Sequence, residues 1–222
     1  MGAKVDTWDM VLVHKMFRRE FAALPELVRA VAAGDRARAE IVGGHAAVLT
    51  RGLHHHHTGE DEMLWPLLLS RIGALDAELV RRMETQHEVV SSLLERIDPV
   101  LIRWRAGADE VSRDELAALI AELSVALDEH LDDEENHILP LVSDHITQVE
   151  WTALGEHGQS GIPKGRKGLV ALGAILRDAT LDERTRFMAL LPAPVRLIWR
   201  TVGVGIYRKD HAKLYGAAAE IR

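Results

Sequence analysis

Through the first two thirds of the chain, apolar residues recur at steps of three and four, the period of a helix with one buried face. The stripe Met10, His14, Phe17, Phe21, Leu24 predicts a first helix that begins after Asp6 or Thr7, carries Pro25 near its end and stops at Gly34. Asp35 is a capping residue for a second helix running to about Ser70, with the seam His45, Leu49, Gly52, His56, Glu60, Met63, Leu67. Gly73 and Asp76 punctuate the next turn. The third helix then follows with Leu79, Met83, His87, Val90, Leu94, Ile97 and Leu101 on one face, and Gly107 falls in the loop after it. Ser112-Arg113-Asp114-Glu115 has the pattern of a capping box opening a fourth helix. Its stripe is Leu116, Leu119, Leu123, Leu127, His130, Glu134, Ile138, Leu141. Four long amphipathic helices with short connections predict an all-α, up-down-up-down four-helix bundle over residues 6–146.

The pattern changes after residue 146. Thr147-Gln148-Val149-Glu150 reads as a second capping box starting a short helix through Leu154, and the Gly-rich, basic stretch from Gly155 to Gly168 reads as a loop. Further helices follow, broken by Pro192 and Pro194, the last with Val195, Ile198, Val202 and Ile206 on one stripe. Residues 147–222 are therefore expected to form a helical C-terminal extension packed on the bundle, the alternative for that stripe being a homodimer contact.

Composition narrows the chemistry. The formal charge of −7 leaves no electrostatic footprint for nucleic acid. With no cysteine, disulfides, thiolate metal sites and thiol nucleophiles are excluded, which fits a cytoplasmic location. Met1 to Asp6 shows no apolar signal region, and no charge-free apolar run is long enough to predict a membrane span. No Gly-rich phosphate loop is present.

The 12 histidines stand out, and two blocks containing them repeat. His56-His57-Thr58-Gly59-Glu60 and His130-Leu131-Asp132-Asp133-Glu134 each place Glu four residues after His, and each Glu is followed six residues later by proline, Pro66 or Pro140. Upstream of each block a single histidine sits on an apolar stripe: 42 residues separate His14 from His56, and 43 separate His87 from His130. Residues i and i+4 stack on one helical face, so each block aims an imidazole and a carboxylate at one point. A lone core histidine is usually just a hydrogen-bonded residue. Four histidines and two glutamates on the seams of four helices, however, are too costly to bury without a shared cation. An N/O donor set without sulfur suits iron, manganese or zinc. The seam and the repeat both choose His56. They leave His54, His55 and His57 as flanking or solvated groups, with His45 as a core or supporting residue.

At His14, His56, Glu60, His87, His130 and Glu134 the chain resembles the hemerythrin-like family, the HHE cation-binding domain, over roughly residues 6–146. The resemblance implies two iron ions, bridged by carboxylates and by an oxo or hydroxo group, and dioxygen or peroxide as small ligand. Oxygen, redox or iron sensing or binding is the leading expectation. A peroxide-decomposing or oxidative di-iron enzyme, of peroxidase or catalase type, is the alternative. Oxygen-carrying members have two histidines a turn apart on the third helix, where this chain has Met83 and Ser91 on either side of His87. Their last carboxylate lies five residues after the fourth-helix histidine, which makes Glu135 an understudy to Glu134. The missing imidazole puts reversible dioxygen carriage in doubt and predicts oxidation in air without a stable oxy form. A ferritin-like carboxylate site is the structural rival, because Glu84-x-x-His87 and Glu134-x-x-His137 both occur. These lie on consecutive helices, however, whereas that arrangement needs them on helices two and four.

Overall fold

A computed structural model describes residues 4–216, all of its regular structure helical. Met1 to Ala3, half of the stretch read as lacking a signal region, and residues 217–222 of the extension lie outside the described residues. The elements are α1 (Trp8–Arg29), α2 (Arg36–Gly59), a π-turn (Glu60–Leu64), α3 (Trp65–Leu69), α4 (Ala74–Gly107), α5 (Glu110–Asp133), a second π-turn (Glu134–Ile138) and α6 (Leu139–His145). Then come α7 (Gln148–Ser160), α8 (Arg166–Leu176), α9 (Leu181–Leu190), α10 (Ala193–Ile198), a third π-turn (Trp199–Gly203) and α11 (Val204–Tyr215). Among the described residues no helix is long and apolar enough to cross a membrane. Two compact units are present among the described residues: 4–7 with Arg18–Gly161, and Trp8–Phe17 with 162–216.

In the first unit α4 packs along both α2 and α5. The stripes on the third and fourth predicted helices are buried as expected from Met83 to Leu101 and from Leu116 to Ile138. Asp35 caps α2, its carboxylate accepting from the Arg38 N–H at 2.9 Å. The cap of α5 lies earlier than the Ser112 box: Asp109 accepts from the Ser112 N–H at 2.8 Å. An aspartate in extended backbone satisfies the orphan donors one turn sooner, and Ser112 is left buried, accepting from Arg103. Ala108 (φ 51°), left-handed, ends α4, whereas the first helix stops at Arg29, short of the expected Gly34 (φ +80°), whose N–H donates to the Ala108 carbonyl at 2.8 Å.

The helix after the expected boundary is longer than its capping box suggested. The Thr147–Glu150 box forms, but α7 continues through Gly155 and Gly158 to Ser160 and packs on α2, within the first unit. Its docking explains why glycine costs do not end it. The His157 ring lies against Gly59, where a Cβ would stand 2.7 Å from Cδ2, and His157 stacks on His55 with centroids 4.1 Å apart.

In the second unit α8 packs on α11. The stripe expected to pack is corrected: Ile198 and Val202 are exposed, and the buried face is Trp199, Gly203, Tyr207, His211, Leu214. This face bears the large rings, and Gly203 and Gly173 supply the space they fill, against Trp199 and Tyr207 respectively.

Candidate metal centre

Both repeated glutamates begin a π-turn. The Glu60 carbonyl accepts from the Trp65 N–H and the Glu134 carbonyl from the Leu139 N–H, each five residues on. The repeat supplies the cause, since Pro66 and Pro140 have no N–H to continue the i to i−4 ladder and their rings displace the carbonyl four residues back. Each π-turn absorbs one extra residue and rotates the downstream helix about its axis. The buried positions beyond it are therefore Leu64, Leu68 and Val142, one residue later than the expected Met63, Leu67 and Leu141.

Glu60, His87, His130 and Glu134 are buried with at most 3% exposure, and His56 is nearly so. His56 Nε2 lies 3.3 Å from Glu60 Oε1, His87 Nε2 lies 3.5 Å from Glu60 Oε2, and His130 Nε2 lies 3.8 Å from Glu134 Oε2. His56, Glu60 and Glu134 each place a ligand atom within 4.8 Å of the others. So do His57, Glu60, His87 and His130, making Glu60 common to both groups. His14 is fully buried on α1, in the Trp8–Phe17 stretch that groups with the second unit.

His57 is the correction here. Expected to be a flanking or solvated group, it is 3% exposed. Its ring stacks on His87 at 4.0 Å and meets His130 edge-on at 4.8 Å. The buried face of α2 runs Ala46, Leu49, Leu53, His57, Glu60, Leu64, one position beyond the seam chosen at His45, Gly52 and His56. Weighing Leu53 and Ala46 above Gly52 and His45 would have found it. His45 instead pairs with the buried Glu20 at 3.0 Å, and Glu135 turns to Arg18 at 3.2 Å.

Hydrogen bonds fix which nitrogen of each imidazole faces the cluster. Asp61 Oδ1 accepts from the Trp65 Nε1–H at 3.0 Å and from His87 Nδ1 at 2.7 Å. An ionised carboxylate only accepts, so Nδ1 of His87 carries the proton and Nε2 presents its lone pair. Gln86 donates Nε2–H to Asp133 at 2.8 Å, which turns its carbonyl oxygen to His130 Nδ1 at 3.3 Å. Arg82 in turn holds Asp133. Nδ1 of His130 is therefore also the protonated nitrogen. The two Nε2 lone pairs meet 3.2 Å apart. Facing lone pairs repel, so the arrangement requires a cation or an added proton between them. Glu60 adds the same demand. Its carboxyl is fully buried, neither oxygen makes a hydrogen bond, and its pKa is raised well above the usual range by burial, then by the charges of Glu134 and Asp61. Convergent imidazole lone pairs and a desolvated carboxylate are a donor set that fits a divalent transition metal and leaves few other roles.

Asp61 should act through His87. Asp61→Ala is expected to lower metal affinity about 10- to 100-fold, the usual effect of losing a ligand's hydrogen-bond partner. Metal titration of the variant checks this, and an unchanged affinity would show that the tautomer is set otherwise.

A family model described as hemerythrin HHE cation binding domain matches residues 5–142. No curated protein and no solved structure matches the chain.

Proposed function

We propose, since the chain belongs to the hemerythrin HHE cation-binding domain family, that it holds two iron ions and uses them to bind dioxygen or peroxide as part of oxygen, redox or iron sensing. The observation that carries this reading is the convergence of His87 Nε2, His130 Nε2 and the buried Glu60 carboxylate on one point. In this reading residues 6–146 form an up-down-up-down four-helix bundle that carries the metal, with residues 147–222 as its extension. His14, His56, Glu60, His87, His130 and Glu134 are the ligands. Glu60 is common to two groups of donors and would hold metal with both, and Glu134 is its counterpart through the repeat. Bound iron would supply reversible one-electron chemistry and a coordination position for a small oxygen ligand. The chain's own residues do the rest. Asp61 and Gln86 hold two imidazoles in the tautomer that leaves Nε2 free to coordinate. Full burial of Glu60 and Glu134 keeps bulk water from the carboxylates.

Protein loaded with ferrous iron under reducing conditions, then washed with chelator to strip metal from the exposed His54, is expected to retain about two iron ions per chain, because the candidate donors fall into two groups that share Glu60. Iron analysis that finds none or one would defeat the dinuclear reading. Mixing the reduced protein with dioxygen and, separately, with peroxide then shows by its visible spectrum which ligand the centre takes.

A further inference from the structure

We infer that His57 is a fifth imidazole ligand of the metal centre, completing with His87 and His130 a three-nitrogen position that the third helix alone does not supply. The inference rests on the dinuclear reading and assigns a residue beyond its six ligands.

Relative to Glu60, His56 lies four residues back on the helix and His57 three, and both spacings place a side chain on the glutamate's face. The two rings leave the helix about 100° apart and so straddle the carboxylate. Each therefore serves a different ion, one on either side of the shared Glu60. His57 belongs with the His87 and His130 side: a nitrogen of His57, a Glu60 oxygen and the other two imidazoles come within 4.8 Å of one another. Its plane lies 9° from that of His87, with the two rings stacked. On α4 the neighbours one turn either side of His87 offer nothing equivalent. Met83 is fully buried but carries a soft thioether, and Ser91 has no nitrogen. The second nitrogen expected of the third helix thus comes from α2, and the ligand deficit inferred from Met83 and Ser91 is filled. With it goes the reason to expect oxidation without a stable oxy form.

The alternative role for a buried histidine is packing, and the test separates the two. His57→Leu keeps apolar bulk and removes the nitrogens, while His57→Gln keeps polarity. His55→Leu, in the same tract, is the control. All are loaded with ferrous iron, washed with chelator and compared by iron content, by Mössbauer spectrum and by the melting temperature of the metal-free form. The inference expects the two His57 variants to fall from about two iron ions to one or none, with the metal-free melting temperature of His57→Leu within a few degrees of the parent and His55→Leu unaffected. Two tightly held ions with the parent Mössbauer parameters in His57→Leu would overturn it and leave the dinuclear reading standing. Fewer than two in the parent protein would overturn that reading first. Should neither His57 variant fold, the cobalt(II)-loaded parent decides: five exchangeable, paramagnetically shifted imidazole N–H resonances support the inference, and four overturn it.

Discussion

Glu60→Gln is expected to abolish retention of metal while raising the melting temperature of the metal-free protein. The two effects have one origin. Glu60 is fully buried, without a hydrogen bond to either oxygen, and it shares its surroundings with the equally buried Glu134. In the metal-free chain that carboxylate is desolvated without compensation. A neutral amide of the same shape removes the cost of ionising a buried group beside Glu134 and Asp61, so the metal-free variant gains stability at any pH where Glu60 would otherwise carry charge. For a chain of this size each kcal/mol moves the melting temperature by about 2–4 °C. With metal the sign reverses. An amide oxygen does not bridge two cations as a carboxylate does, and a group common to both donor sets is lost, so iron content after chelator washing should drop from about two towards zero. Calorimetry of the metal-free forms and iron analysis of the loaded ones read the two halves separately. A variant that keeps two iron ions removes Glu60 from the centre, and one that melts lower when metal-free shows that its charge is balanced by groups other than a metal.

Removal of metal from the parent protein is the second large effect expected. The donors come from α2, α4, α5 and the π-turns that follow α2 and α5, so a bound cation ties elements far apart in sequence, and the full donor set comes together only in the folded chain. Ligand present at about 100 to 1,000 times its dissociation constant stabilises by about 2.7–4.1 kcal/mol. At about 2–4 °C per kcal/mol that is a loss of about 5–16 °C on chelation. Heating scans with and without chelator, followed by iron readdition, measure it. A shift under a few degrees would mean either weak binding or a core already compensated by protonation.

Much of this was legible in the chain. The period of the apolar residues located the four long helical segments, because a helix that buries one face must repeat at 3.6 residues whatever it packs against. Asp35 and Thr147 marked two helix starts for a similarly local reason, a side-chain oxygen meeting the first orphan N–H groups. The prolines six residues after Glu60 and Glu134 were visible as a repeat, but their consequence was not. A missing N–H is a local fact, whereas whether the helix stops, kinks or widens into a π-turn depends on what the widened turn packs against.

The sequence by itself determined the helical class and the pairing of His with Glu at a four-residue spacing, since spacing along one helix fixes which side chains share a face. Only the tertiary structure decided how far round each helix the centre lies. A helical wheel has no origin until its neighbours are in place, and adjacent residues differ by about 100°. His57 was therefore set aside by the wheel and buried by the packing of α4 and α5. The same holds for the partners of the imidazoles. Asp61 lies 26 residues from His87 and Gln86 lies 44 from His130, separations that carry no periodic signal, so only the folded core reveals that the two lone pairs are turned towards each other.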